Sequence, residues 1–178
     1  SDNDGWGDVY EIMQGLDPYD ENIKPLLLSN LDLNNEGLES CLINSMDEWN
    51  NRDAVYAHEI DSLNCWNSAL TSLDGIESFV NLDYFNLSYD SEIEDFSALA
   101  SLKRLRSLYI NNAELVSLDF LADLQALENL NISLTAYTGD LSVFTHLNSL
   151  RSLSIRFGDY EGDISVLGTL TNLSLIHI

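Results

Sequence analysis

From residue 60 onward, large apolar residues return in one fixed figure: two of them three apart, then a third two further on. It is written by Ile60, Leu63 and Cys65, by Leu82, Phe85 and Leu87, and by Leu105, Leu108 and Ile110. It continues as Leu127, Leu130 and Ile132, as Leu150, Leu153 and Ile155, and as Leu173, Ile176 and Ile178. The central residues are 22, 23, 22, 23 and 23 apart. A fixed period of this size is the mark of a solenoid, one unit repeated coil after coil. Around Leu108 and Ile110 the alternate residues are Ser107, Tyr109 and Asn111, all polar or aromatic. Successive side chains of a strand point to opposite faces. Each unit therefore predicts a short strand, at 63–65, 85–87, 108–110, 130–132 and 153–155, with half of a sixth at 176–178.

A second pattern follows each strand, apolar at every third residue: Leu70, Leu73, Ile76 and Phe79, then Ile93, Phe96, Leu99 and Leu102. It returns as Leu115, Leu118, Leu121 and Leu124, as Leu141, Phe144 and Leu147, and as Ile164, Leu167 and Leu170. A period of three suits short 3₁₀ segments and turns better than α-helix. Both patterns must face one core, so each unit is a coil with a strand on one side. Stacking the coils gives an α/β solenoid with a parallel β-sheet on the concave face and short 3₁₀ or turn segments on the convex face. No coil buries its own leucines; its neighbours do, and stability is close to a sum over adjacent pairs.

The L-x-x-L-x-L figure over residues 60–178 resembles the leucine-rich repeat family, and the 22–23-residue form with this convex pattern resembles its bacterial internalin-like class. The resemblance implies a horseshoe of about five and a half repeats. The family places Asn five residues after the central leucine, bonding the backbone of adjacent coils. Here those positions hold Ser68, Asp90, Ala113, Thr135 and Gly158, with Asn67 and Asn112 one place early. An irregular turn leaving each strand is the expectation. In two later coils Thr138 and Glu161 replace an apolar residue, and Tyr137 and Tyr160 are expected to cover the gap.

Residues 23–59 differ from both neighbours. Residues 35–49 read as an amphipathic helix with Leu38, Cys41, Leu42, Ser45, Met46 and Trp49 on one face. Asn34 is placed to cap it, and Glu36 suits its positive first turn. A solenoid end exposes leucines, so an N-terminal cap is required, and the family resemblance places a small helical cap here. Cys41 lies on the helix's apolar face and Cys65 at an inward strand position. One disulfide tying cap to first coil, contributing about 3 kcal/mol, is the favoured state. Two buried free thiols are the alternative.

Residues 1–22 resemble the calcium loop of EF-hand, dockerin and bacterial thrombospondin type 3 repeats, lacking its first position. The resemblance implies Asp2, Asp4, Asp8 and Glu11 as side-chain ligands and the Trp6 carbonyl as another, around one Ca2+. The incomplete loop at one end and the half-strand at the other make further domains of a longer chain an expectation.

Charge narrows the choice of partner. Seven basic and 30 acidic residues leave −23. Residues 1–60 carry 14 of the acids and two of the bases, so the acidity is spread. It argues against nucleic acid and anionic membrane surfaces. No apolar run approaches the roughly 20 residues that span a bilayer. The three histidines stand far apart, and no nucleophile, phosphate-loop or dinucleotide motif is present, so no enzyme is expected. The sequons at Asn86, Asn131 and Asn172 are by-products of the repeat.

The strand positions facing away from the leucines are the candidate chemistry. They include Asn64, Trp66, Tyr84, Asn86, Tyr109, Asn111, Asn131 and Arg156, separated by serines. Exposed aromatics among adaptable hydrogen-bonders are what recognition surfaces use. The expected function is a non-enzymatic binding module of a secreted or cell-surface bacterial protein, engaging a protein or glycan. A rigid spacer in a multidomain surface protein is the alternative.

Overall fold

In the computed structural model, residues 33, 35–48, 56–89, 92–135, 137–156 and 163–177 are described. Helix α1 (Glu36–Glu48) comes first. Six three-residue strands follow: β1 (Ser62–Asn64), β2 (Tyr84–Asn86), β3 (Ser107–Tyr109), β4 (Asn129–Asn131), β5 (Ser152–Ser154) and β6 (Leu175–His177). They form one sheet in chain order, every neighbouring pair parallel and in register on the central apolar residue: Leu63, Phe85, Leu108, Leu130, Leu153, Ile176. Each strand is centred on that residue, so it begins one position before the span the periodicity predicts. Between successive strands lies a 3₁₀ segment: Ile76–Ser78, Ser97–Ser101, Asp119–Asp123, Leu141–His146 and Ile164–Thr169. The three-residue apolar period is thus the period of the convex side.

Both patterns face one core, and from Ile60 to Ile155 they fill it without a break. Leu63, Phe85, Leu108 and Leu153 are fully buried, as are Leu73, Ile76, Leu99, Leu121 and Phe144 or nearly so. Ile164 departs from its expectation and is 53% exposed, whereas Leu141, its counterpart one coil earlier, is buried. The reason is the stacking itself. Leu141 is sandwiched between coils, and no following coil covers Ile164 among the described residues.

Tyr137 covers the gap left by Thr138, as expected. Its ring is buried, its hydroxyl donates to the Asp140 carbonyl (3.3 Å), and a Cβ at Gly139 would collide with it. Burial, and then Asp119 and Asp140, push its phenol pKa up. Tyr160 lies outside the described residues.

The turns leaving β1–β4 share one conformation at their start, contrary to expectation. The fourth residue after the central apolar one has a left-handed backbone in all four, Asn67 (φ 54), Tyr89 (φ 71), Asn112 (φ 59) and Leu134 (φ 59), and the first turn adds Ala69 (φ 55). The fourth residue's amide donates to the next coil, Asn67 to the Ser88 carbonyl and Tyr89 to the Asn111 carbonyl. The sheet ladder therefore runs past the strands and sets the turn without the family's asparagine. At that asparagine's place Ala113 is simply buried, and the Thr135 hydroxyl donates to Ile132 of its own coil.

Helix α1 closes the sheet. Its N-cap is Asn35, not Asn34: the Asn35 side-chain oxygen accepts from the Leu38 amide at 3.1 Å. That is the third residue into the helix, the geometry a capping side chain requires. Leu38, Cys41, Leu42 and Ser45 are buried on β1. The edge amide of Asn64 would otherwise lack a strand partner; it donates to the Ser45 hydroxyl at 2.9 Å. Burying an unpaired amide is costly, so this one serine earns its burial. Cys41 and Cys65 form a disulfide, Cα–Cα 4.9 Å. Trp49, expected on the same face, lies outside the described residues.

Candidate ligand-binding face

Fifteen positions on β1–β5 and their exits alternate with the inward apolar residues: six Ser, five Asn, three aromatics and Arg156. None is a carboxylate and none is aliphatic, in a chain of net charge −23. Asn64, Tyr84, Asn86, Tyr109, Asn111 and Asn131 are half-buried, while Trp66 (57%) and Arg156 are exposed. All eight residues expected to bind ligand thus lie on one face.

The amides are not loose. Asn86 donates to the Asn64 side-chain oxygen (3.0 Å), Asn111 to the Ser88 hydroxyl (2.9 Å) and Asn129 to the Ser107 hydroxyl (3.1 Å). The Ser133 amide is shared by the Asn111 and Asn131 oxygens, and its hydroxyl meets that of Ser154 at 3.0 Å. Ser62, Ser88 and Ser133, expected to face solvent, are buried; the bonds above draw Ser88 and Ser133 between coils. The ladder takes the place of the missing asparagine ladder, on the opposite side of the strand exit. An asparagine amide has two donors and two acceptor lone pairs, so one bond to a neighbour fixes its direction and leaves capacity for a ligand.

Two aromatic pairs flank the Asn64–Asn86 bond. Tyr84 and Tyr109 pack at 5.4 Å between ring centres, and Trp66 meets Tyr89 edge to face at 5.9 Å. Burial, then the neighbouring Tyr109, raise the Tyr84 pKa, with a bond from Asn86 opposing, so Tyr84 is a hydroxyl donor at neutral pH. Tyr89 is the residue that sequence reasoning missed. It is 49% exposed and sits at the left-handed turn position. A bulky residue there costs about 1–2 kcal/mol that Asn, used in coils 1 and 3, largely avoids. The signal was its place, four residues after Phe85, one beyond the alternation that marks the strand.

One rim of the sheet is charged. Two residues before the central apolar position, Asp83, Arg106, Glu128 and Arg151 alternate in sign, with Arg106 3.2 Å from Asp83 and Arg151 3.1 Å from Glu128. On the side of the strand exits, Asp74, Glu92, Glu94, Asp95 and Glu114 line shallow grooves. Glu94 and Asp95 are exposed, as surface acids are. Among the described residues no three His, Cys, Asp or Glu side chains are grouped to hold a metal ion. The calcium positions Asp2, Asp4, Trp6, Asp8 and Glu11 lie outside the described residues.

No protein-family model and no curated protein matches the chain. Solved structures do. An internalin (inlF) from Listeria monocytogenes is 24% identical over 85% of this chain and 58% of its own, with a TM-score of 0.45. The leucine-rich repeat ectodomain of the receptor kinase SOBIR1 from Arabidopsis thaliana is 20% identical over 62% of this chain and 63% of its own, TM-score 0.51. The LRIM1/APL1C complex matches 60% of this chain over 21% of its own, 19% identical, TM-score 0.53. The chain spans less than two thirds of each. What it shares with the latter two is the architecture just described, and the fold of this chain is the leucine-rich repeat solenoid.

Proposed function

We propose that this chain is a non-enzymatic ligand-binding module of a secreted or cell-surface bacterial protein, engaging a protein or glycan through the concave face of its sheet. The observation that carries the reading is compositional and positional together. A chain with 30 acids keeps all of them off the 15 concave positions and fills those with Ser, Asn, Tyr and Trp. A solvated face with no task has no reason to exclude carboxylates. Tyr and Trp supply rigid contact area at low entropic cost, and Ser and Asn supply hydrogen bonds. The disulfide supports an oxidising compartment. No helix among the described residues is long and apolar enough to cross a membrane. Calcium at Asp2, Asp4, Trp6, Asp8 and Glu11 remains part of the reading as a stiffener of the segment before the cap.

The test is a screen of wild-type chain against arrayed extracellular proteins and glycans, repeated with Trp66, Tyr84 and Tyr109 all changed to Ser. These side chains are exposed or half-buried, so the variant keeps the fold. Loss of every hit supports the reading. Retention of every hit sinks it and favours the second reading, a rigid spacer, which the alternating Asp83–Arg106–Glu128–Arg151 rim and the amide ladder would stiffen.

A further inference from the structure

The concave face is not uniform. Among the described residues its aromatic side chains stand on coils 1–3; coils 4 and 5 carry Asn, Ser and Arg156. On coils 1–3 they form two pads. Tyr84 and Tyr109 straddle the start of β2 and the end of β3, and Trp66 and Tyr89 sit where coils 1 and 2 leave the sheet. The pads are about three to four residues apart along the strands, so roughly 12 Å at about 3.3 Å per residue. Between them lies the Asn64–Asn86 amide pair, held rigid by its own bond.

We propose that coils 1–3 are built for an uncharged oligosaccharide, with a sugar ring stacked on each pad and intervening hydroxyls bonded by Asn64 and Asn86. The proposal rests on the binding reading above and names its ligand class. A sugar ring offers faces of C–H bonds, which carry partial positive charge, to the negative face of an aromatic ring. It surrounds them with hydroxyls, which want amides and phenols held in fixed directions. Charge decides the rest. The site itself is neutral, and the grooves beside the strand exits are lined by Glu92, Glu94 and Glu114, so an anionic sugar is repelled. A protein partner would also use aliphatic anchors. The strands and exits of coils 1–3 have none; the exposed aliphatics elsewhere along that face, Leu134 and Leu175, lie on coils 4 and 6. Tyr89 enlarges the second pad: it is 49% exposed and meets Trp66 edge to face.

The chain has three Trp, so its indole N–H resonances resolve Trp66 once Trp66→Phe removes one of them. We would titrate the nitrogen-15-labelled chain with tetrasaccharides of β-1,4-glucose, β-1,4-N-acetylglucosamine, β-1,4-mannose and α-1,4-glucose, and with tetragalacturonate as the anionic probe. The expected result is saturable movement of the Trp66 resonance by at least one neutral probe and none by tetragalacturonate. Trp66→Ala and Tyr84→Ala should each weaken that binding roughly tenfold or more, as hot-spot aromatics do, while Leu134→Asn leaves it unchanged. No movement with any neutral probe overturns the proposal, as does preference for tetragalacturonate or an equal loss in Leu134→Asn, which would mark a protein-sized interface along the strand exits. Any of these leaves the concave-face reading to the array screen, where only retention of ligands by the triple Ser variant overturns it.

Discussion

Removing the disulfide with Cys41→Ala and Cys65→Ala should weaken one end of the molecule and leave the other untouched. Both cysteines are fully buried and 24 positions apart. A closed loop of that length restrains the unfolded chain by about 3.5 kcal/mol on the chain-entropy relation. The cost falls where the bond acts, because a solenoid coil feels only its neighbours. Helix α1 would then be held on the first coil by Leu38, Leu42, Met46, the Ser45–Asn64 hydrogen bond and the Asn35 side chain on the Ser72 carbonyl. Hydrogen exchange reads this directly. The Asn64 amide, bonded to Ser45, and the backbone amide at position 65, bonded to the Asn86 carbonyl, report the cap end. The Ile132 amide, bonded to the Ser154 carbonyl, reports the far coils. A local loss of about 3 kcal/mol speeds exchange at the cap end roughly a hundredfold. Ile132 should stay within a factor of about two to three. Equal acceleration at both ends would show that the array opens as one unit and refute the neighbour-pair account. An unchanged Asn64 would show that the disulfide restrains nothing the cap does not already hold.

Three further outcomes follow from single sites. Gly139→Ala should destabilise coil 4 by about 1–3 kcal/mol, because a Cβ there displaces the buried Tyr137 ring; thermal unfolding unchanged within about 0.5 kcal/mol would contradict the packing. Asp140 accepts from the Ser142 amide, and Asp163 from the Ser165 hydroxyl and amide, at the starts of convex segments, and these bonds hold their pKa values below the ordinary 3.8. The folded values are depressed, so the stabilisation is present above pH 3.8 and is lost as pH falls through the lower folded values. Asp140→Asn with Asp163→Asn should therefore flatten that acid limb in urea unfolding, and an unaltered limb would exclude these two groups. With an Asp added before Ser1, calorimetry should detect calcium binding that Glu11→Ala abolishes; equal heats from both would mean the loop does not bind through Glu11.

The 22–23-residue period, the parallel order, the inward leucines and the cap helix were all legible in the chain, because each follows from the spacing of apolar residues. The cysteine pairing was legible as one of two states, since both cysteines fell on inward positions. What was hidden depends on hydrogen-bond geometry rather than hydrophobicity. Asn34 and Asn35 are equal as cap candidates until the helix phase is known to a single residue. The turn after each strand looked irregular because its side chains differ, yet a left-handed residue recurs there under Asn, Tyr and Leu alike, set by backbone bonds to the next coil. Tyr89 was lost to the candidate face for that reason. Ser88 and Ser133 alternate outward like Tyr109, and only the inter-coil bonds reveal that they are drawn in.

The most direct test of the account is a chemical-shift map of the chain saturated with the first ligand the array identifies. The side-chain amides of Asn64, Asn86, Asn111 and Asn131 and the backbone amides of β1–β4 should move, and those of the convex segments Ile76–Ser78, Ser97–Ser101 and Asp119–Asp123 should not. A map centred on the convex segments, or on the acidic grooves beside Glu92 and Glu114, would contradict it.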